Sequence, residues 1–152
     1  MLKALRNRMQ DDKGFTLIEL MVVVLIIAIL IAIAIPTFLG LRRRAQDRAA
    51  QSNLRNGLTA AKAFYTDAET YVGFTPGAAG TAEAIEPSLT WVGAAPAVQE
   101  VQITVVGAQE IVLNAVSAST QAFCIADSTT AGTSRGRGSA ATYAACDALA
   151  DW

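Results

Sequence analysis

A single carboxylate, Glu19, lies inside a long run of apolar residues. Residues 15–35 form a stretch of 21 residues that carries no other charge. As a helix rising about 1.5 Å per residue, this stretch spans roughly 31 Å, which matches the hydrocarbon core of a bilayer. A carboxylate at mid-membrane costs about 2.5–3.5 kcal/mol, and somewhat less near the end of a span. Glu19 therefore predicts a specific partner, and we expect none within its own subunit.

Catalytic chemistry finds little support among the remaining residues. The chain has no histidine, which removes the commonest general base and a common metal ligand. Serines such as Ser117 and Ser119 therefore lack a histidine partner, and Lys62 is the sole lysine after residue 14. The carboxylates show no ligand spacing, and no glycine-rich phosphate loop joins a strand to a helix. We expect no enzymatic activity, no cofactor and no metal, with calcium at a loop left open.

Charge divides the chain into a basic first part and an acidic second part. The 152 residues leave room for one modest globular domain beyond the apolar run. Ten of the 12 basic residues lie in residues 1–62, whereas residues 63–152 hold nine acidic residues against Arg135 and Arg137. This acidity favours a soluble extracellular head and argues against a head that binds nucleic acid.

The basic stretch ahead of the apolar run fits either a membrane anchor or a cleaved secretory signal. Residues 1–14 carry four basic residues, and Ala32-Ile33-Ala34 offers a small-x-small cleavage site. The length of the run, the presence of Glu19 and a helical pattern that continues past Pro36 favour retention of the segment. Basic residues flank the span on both sides, so charge bias alone does not give its orientation.

Residues 14–27 carry a recognisable signature. They read Gly-Phe-Thr-Leu-Ile-Glu-Leu-Met-Val-Val-Val-Leu-Ile-Ile, which resembles the prepilin motif of type IV pilins and of the related type II secretion pseudopilins. Pro36 lies 21 residues after Phe15, where many of these proteins have a helix-kinking proline. The resemblance is good over residues 13–65 and extends to the rest of the chain in outline only.

The resemblance implies a role for each residue of the motif. Gly14 would be the last leader residue, cleaved by a membrane prepilin peptidase, and Phe15 would become the N-methylated amino terminus. Glu19 would pair with the Phe15 amine of a neighbouring subunit and set the register of a growing filament. A buried charge is tolerated when it is paired and hydrogen-bonded. The alternative is that Glu19 lies near the helix end and reaches the lipid interface.

The implied function is that of a structural subunit of a type IV pilus. Such a subunit is made as a single-pass prepilin in the cytoplasmic membrane and is then displayed on the cell surface, where pili serve adhesion or motility. Its implied partners are further copies of itself, the prepilin peptidase, the assembly platform with its ATPase, and membrane lipid before assembly. Two alternatives stay open: a type II secretion pseudopilin, and a minor pilin that binds DNA or surfaces, with nucleic acid binding unsupported.

We expect an α+β fold in which one long helix packs on a small antiparallel sheet. After a leader at residues 1–14, the apolar run at 15–35 and an amphipathic stripe at 36–68 predict a single helix that ends near Ala68. The stripe has apolar residues at spacings of three and four, among them Leu54, Leu58 and Ala61.

Glycine and proline over residues 69–96 predict a connecting loop with a short strand near residues 90–92. A head over residues 97–152 follows, and the short separations between its strand candidates predict an antiparallel meander with one face on the helix. The expected strands cover residues 101–105, 111–116 and 122–126.

The resemblance further implies a disulfide between Cys124 and Cys146 that encloses the last loop. In the chain-entropy model, closing this loop stabilises the fold by about 3 kcal/mol. Within it, residues 129–141 are rich in Gly, Ser, Thr and Ala, and we expect a flexible, solvated loop there. The alternative is an exposed adhesive or DNA-touching tip, in which Arg135 and Arg137 form a small basic patch.

Arg42, Arg43 and Arg44 follow the apolar run closely. Long basic side chains at this position fit an interfacial cluster near lipid headgroups. Salt bridges to the acidic heads of other subunits and contact with nucleic acid are the alternatives.

Ala28 generates a prediction about the assembled state. Many members of the pilin family have a glycine midway along this run, and alanine favours helix over glycine by about 1 kcal/mol. We therefore expect residues 28–36 to stay helical in the filament. A filament map with extended backbone across residues 29–35 would contradict this expectation.

Overall fold

The computed structural model describes residues 14–77 and 81–152. The expected leader therefore lies outside the described residues, apart from Gly14. The described residues divide into two compact units, one ending at Gly40 and one covering Leu41–Trp152. The elements in chain order are α1 (Leu17–Ala68), α2 (Thr81–Ile85), β1 (Thr90–Val92), β2 (Glu100–Gly107), β3 (Glu110–Val116), β4 (Ala122–Ser128), β5 (Gly132–Gly136) and α3 (Tyr143–Asp147).

The first part of α1 has the expected apolar character. It begins at Leu17, two residues after the expected start at Phe15, because Thr16 occupies the position before the first helical turn. Pro36 lies inside α1 and does not end it, as the pattern beyond it predicted. One residue later, the Thr37 hydroxyl donates to the carbonyl oxygen of Ile33 at 3.2 Å.

The second part of α1 buries the predicted stripe against the sheet. Leu54, Leu58 and Ala61 are buried, and they share a core with residues of β1 to β4. Gly57 permits the close approach of helix and sheet, because a Cβ there would lie 3.2 Å from both the Trp91 ring and the Leu113 methyl. The cost of glycine in a helix is thus offset by packing.

The five strands form one sheet in the order β1-β2-β3-β4-β5. The pairs β2–β3, β3–β4 and β4–β5 are antiparallel, as a meander requires. The expected antiparallel meander is confirmed, and β1, which was expected only as a short strand within the connecting loop, joins the edge of the meander in parallel with β2. Parallel pairing requires the chain to return from the end of β1 to the level of Thr90 before β2 begins. Because β1 is only about 10 Å long, the short segment at residues 93–99 can cover this distance.

Three elements were not expected from the sequence. Residues 129–141 are not a flexible loop throughout, because β5 pairs with β4 and sets Gly136 opposite Cys124. Glycine, serine and arginine have low strand propensity, so pairing with β4 rather than composition forms this strand. The short helix α2 lies within the stretch at residues 69–96 whose composition predicted a loop. No helix was expected at α3, which begins after Thr142, whose hydroxyl accepts from the Ala145 N–H.

Both faces of the sheet are covered, whereas the pattern predicted one. One face, which includes Val101, Leu113 and Phe123, packs on α1. The other face places Val112 and Ala126 against the segment that follows β5. This double burial explains why the middle residues of β3 and β4 are buried without alternation.

The segment after β5 is held to the sheet by a disulfide and by a buried amide. Cys124 and Cys146 are bonded, with their Cα atoms 6.1 Å apart, so the disulfide implied by the resemblance is present. The Asn114 side chain donates to the Ala140 carbonyl and accepts from the Ala140 N–H, both at 2.9 Å. These bonds satisfy the polar groups of a buried Asn114.

Gly136 is the position where this closure leaves no room for a side chain. A Cβ there would lie 2.5 Å from the Cys146 carbonyl oxygen and 3.0 Å from the Cys124 sulfur. We expect Gly136→Ala to lower the free energy of unfolding of the detergent-solubilised full chain by at least about 2 kcal/mol in urea titration.

Gly107→Ala is the matched control, because a Cβ at Gly107 meets nothing within 4 Å. We expect its effect to stay within about 0.5 kcal/mol. Equal stability of the two variants would contradict the close packing at Gly136.

Candidate functional site

The first turn of α1 places Glu19 in a capping box. The Thr16 backbone N–H and the Thr16 hydroxyl both donate to Glu19 Oε2, at 3.1 and 2.9 Å. In return, the Glu19 N–H donates to Thr16 Oγ1 at 3.2 Å. The Thr-x-x-Glu spacing satisfies orphan donors at the start of a helix.

This geometry corrects the expectation that Glu19 has no partner within its own subunit. The sequence signal was available in the Thr16-Leu17-Ile18-Glu19 spacing, but the apolar context drew attention to charge alone. Both partners are neutral donors, so they satisfy lone pairs of the carboxylate and leave its negative charge uncompensated. Glu19 therefore has a local hydrogen-bonding role and still lacks a counter-charge among the described residues.

In the unit that ends at Gly40, no side chain among the described residues 14–40 is buried. Gly14 and Phe15 precede α1, are exposed, and lie directly beside the Thr16–Glu19 box. An 18-residue window of α1 reaches a mean hydropathy of 3.3 with none of it buried, which is long and apolar enough to cross a membrane. Its large apolar side chains, such as Leu25 and Ile33, are about half exposed or more. This surface requires lipid or protein to cover it.

In the second unit, Asp127 joins three elements through its carboxylate. Its Oδ1 accepts from Lys62 Nζ of α1 at 2.9 Å and from the Thr133 hydroxyl of β5 at 2.6 Å. Its Oδ2 accepts from the Tyr71 hydroxyl at 2.7 Å. Asp127 is 5% exposed, whereas the Lys62 side chain is about half exposed. This cluster could not be predicted from sequence pattern, because its members are far apart in the chain.

These contacts shift the ionisation of both acidic groups. Burial alone would raise the pKa of Asp127, but the hydrogen bonds from Lys62, Thr133 and Tyr71 outweigh it and hold the pKa below its usual value. Burial, followed by the bond to Asp127, raises the pKa of the Tyr71 phenol. Asp127 is therefore ionised and Tyr71 protonated near neutral pH.

Trp152 is a second feature that sequence reasoning missed. Its indole N–H donates to the Cys124 carbonyl at 3.1 Å, and its ring meets Phe123 edge-on. The guanidinium carbons of Arg55 and Arg135 lie 5.4 and 5.6 Å from the ring centroid.

Arg135 also contacts the Asp151 carboxylate at 3.5 Å. It is therefore engaged in the subunit, which weakens the idea of a basic DNA-touching patch formed with Arg137. The other candidates for chemistry lie apart: Ser119 donates its hydroxyl to Asp47 of α1. Within residues 14–77 and 81–152, no group of three or more potential metal-ligating residues occurs.

Comparison with known proteins supports the significance of the first turn. Residues 9–35 match the family described as the prokaryotic N-terminal methylation motif. This match includes Gly14, Phe15 and Glu19, the residues on which the resemblance was based. No solved structure matches the chain significantly.

Three curated relatives are type IV pilus components. The type IV major pilin protein PilA of Myxococcus xanthus is 45% identical over 71 residues, which cover 43% of this chain and 32% of that protein. The type IV wide pilus major component PilA4 of Thermus thermophilus is 41% identical over 63 residues, covering 41% of this chain and 48% of that protein. The type IV major alpha-pilin of Moraxella bovis is 43% identical over 68 residues, covering 45% and 40%.

The methylation motif, these relatives and the α+β fold define a prepilin-like protein. Over less than half of its length, the chain is similar to these type IV pilus components. It spans less than half of the length of each of these three relatives.

The Asp127 cluster generates a prediction about stability and pH. A folded pKa below the unfolded value means that the ionised carboxylate stabilises the fold above the unfolded pKa, near 4, and that this stability is lost as pH falls through the folded pKa. We expect Asp127→Asn to lower the free energy of unfolding at pH 7 by about 1.5–3 kcal/mol. The difference from the parent chain should shrink in acid.

Asp151→Asn provides the control, because its ion pair is exposed and should contribute less than about 1 kcal/mol. Urea titrations of the solubilised full chain at pH 7 and pH 3 measure both. A loss for Asp127→Asn that does not change with pH would argue for packing rather than ionisation.

Proposed function

We propose that this chain is a structural subunit of a type IV pilus. It is made as a membrane-anchored prepilin, cleaved after Gly14, N-methylated at Phe15, and polymerised through the apolar part of α1. The observation that carries the proposal is an uncovered apolar helix whose first turn holds a capped Glu19 inside a methylation motif.

The apolar surface must stay covered at every step of the proposed route. Leaving one Val, Leu, Ile or Phe side chain exposed to water costs about 1.5–3 kcal/mol relative to burying it, and residues 15–35 present many of them. Lipid covers this surface in the prepilin. In the filament, the same helix of neighbouring copies covers it, through head-to-tail contacts that repeat without closing.

The charge at Glu19 gives the polymer its register. Cleavage after Gly14 creates a positively charged amine at Phe15, four residues ahead of Glu19. The capping box holds the Glu19 carboxylate in place while leaving its charge uncompensated. The Phe15 amine of an adjacent copy supplies the missing positive charge, and a misregistered copy would leave both charges unpaired in a medium of low dielectric constant.

The proposed partners follow from this route. They are other copies of the chain, a prepilin peptidase, the pilus assembly platform with its ATPase, and membrane lipid before assembly. The relatives named as major pilins and as a major pilus component favour a main filament subunit over a pseudopilin or a tip subunit. The proposed location is the cytoplasmic membrane, then the cell surface, and the proposed role is structural and not catalytic.

Substitutions at Glu19 and Thr16 separate the charge from the cap. Glu19→Gln keeps an oxygen that accepts from Thr16 but removes the charge, whereas Thr16→Ala removes the hydroxyl and keeps the charge. We expect Glu19→Gln to lower the yield of sheared surface filaments at least about tenfold, because an unpaired Phe15 amine would be buried. Thr16→Ala should assemble within about threefold of the parent chain, since a cap contributes about 1 kcal/mol.

Intact mass and N-terminal analysis of the sheared material test the processing. An N-methylated Phe15 terminus in a dominant band supports a major pilin, and the same terminus in a trace band supports a minor one. A terminus at Ile35, or no filaments from the parent chain, would overturn the proposal. Filament loss in Thr16→Ala with normal assembly of Glu19→Gln would reject the charge-pairing step alone.

A further inference from the structure

The part of α1 that belongs to the unit Leu41–Trp152 carries opposite charges at its two ends. Arg44 and Arg48 lie near the beginning of this part, and both are exposed. Asp67 lies in its last turn and Glu69 directly after it, also exposed. Glu110 belongs to the same acidic end, because the Tyr71 N–H donates to the Ala108 carbonyl in the turn before β3.

The acidic end is unfavourable in the isolated subunit. The last turn of a helix carries a partial negative charge, so carboxylates there are repelled, and α1 has no basic residue in that turn. Glu69 has a φ of 54°, a conformation that glycine adopts more easily, and its N–H donates to the Tyr65 carbonyl. The ion pairs among the described residues involve Asp127 and Asp151, and neither Asp67 nor Glu69 takes part.

The basic end is similarly uncompensated. Arg44 and Arg48 are four residues apart, so they occupy one face of α1 a single turn apart. Asp47, the acidic residue between them, accepts from the Ser119 hydroxyl. Neither arginine forms an ion pair within the described part of the chain. Arg42 and Arg43 occupy other faces of the helix, because successive residues are rotated by about 100°.

We propose that the acidic end of one subunit, formed by Asp67, Glu69 and Glu110, docks on the Arg44–Arg48 face of another copy. This inference rests on the proposed filament, and it names a contact outside the apolar part of α1. Opposite charges at two different places on one chain form a head-to-tail contact, which propagates as a filament instead of closing into a dimer. The two ends are separated by 19 residues between Arg48 and Asp67, so bound copies are offset by roughly 30 Å along the helix.

We expect this contact to contribute little to the affinity between copies and more to the choice of offset between them. Exposed ion pairs are individually weak and are screened by salt. Like charges brought together at a wrong offset repel, so charge complementarity favours one arrangement and speeds its formation. A second copy explains why two carboxylates are retained where the isolated helix disfavours them.

Charge reversal at each end tests the contact in the full chain. We expect Arg44→Glu with Arg48→Glu, and separately Asp67→Lys with Glu69→Lys, to lower the yield of sheared filaments about tenfold or more. The four substitutions together should restore the yield to within about threefold of the parent chain. Yields are compared at equal membrane levels of each variant.

Thermal unfolding separates docking from a role in folding. Lysines at the end of α1 complement its partial negative charge, so the Asp67→Lys, Glu69→Lys variant should unfold at a higher temperature than the parent, by roughly 2–8 °C. Loss of filaments from a subunit that has become more stable identifies a defect between subunits. A lowered unfolding temperature in this variant would overturn the proposal.

Arg42→Glu with Arg43→Glu is the matched control, since it makes the same charge change directly beside Arg44 but on other faces of the helix. We expect it to retain at least about a third of the parent yield. An equal loss in this control, or failure of the fourfold variant to recover, would indicate binding to anionic lipid headgroups and overturn the contact. Absence of filaments from the parent chain would overturn the proposed function and this contact together, whereas normal assembly of both reversed variants would overturn the contact alone.

Discussion

An apolar helix without cover is the constraint on which the other features depend. None of residues 15–35 is buried, so the chain needs lipid or further copies around this segment. A hydrophobic surface alone would associate in many registers, because apolar burial is not directional. Glu19 removes that freedom, since an ion in a medium of low dielectric constant is acceptable only where an opposite charge meets it. Strength and register therefore come from different residues of one segment.

The second unit meets the opposite demand, which is to fold by itself. Its sheet is covered on one face by α1 and on the other by the segment that contains Cys146. The Asp127 carboxylate links α1, the Tyr71 segment and β5, and the disulfide closes the second face. In such a small core, each of these links is a large fraction of the total stability.

The sequence predicted the features that depend on local pattern. Hydrophobic period and length predicted α1 to within two residues, and alternation in β2 together with the apolar stretches of β3 and β4 predicted the centres of these three strands. It failed where pairing overrides propensity, as in β5, whose Gly-Thr-Ser-Arg-Gly sequence forms a strand only because β4 is beside it. The cluster formed by Asp127, Tyr71 and Lys62 could not be predicted for a related reason, because these residues are far apart in the chain and meet only in the folded structure. At Glu19, the Thr-x-x-Glu spacing does predict the Thr16 cap, but the uncompensated charge in an apolar segment predicts a partner from another copy more strongly.

Glu19 and the acidic end of α1 share one property: their backbone N–H groups are hydrogen-bonded, but their negative charge is not compensated within the described part of the chain. Neutral donors from Thr16 fix the position of the carboxylate, but they cannot cancel its charge. Likewise, the Glu69 N–H completes the end of α1 while its side chain adds negative charge where the helix already has some. In both places the backbone is hydrogen-bonded, and the carboxylate has no ion-pair partner among the described residues. The monomer gains no ion pair from these charges, whereas a polymer of identical chains gains a means of rejecting wrong registers.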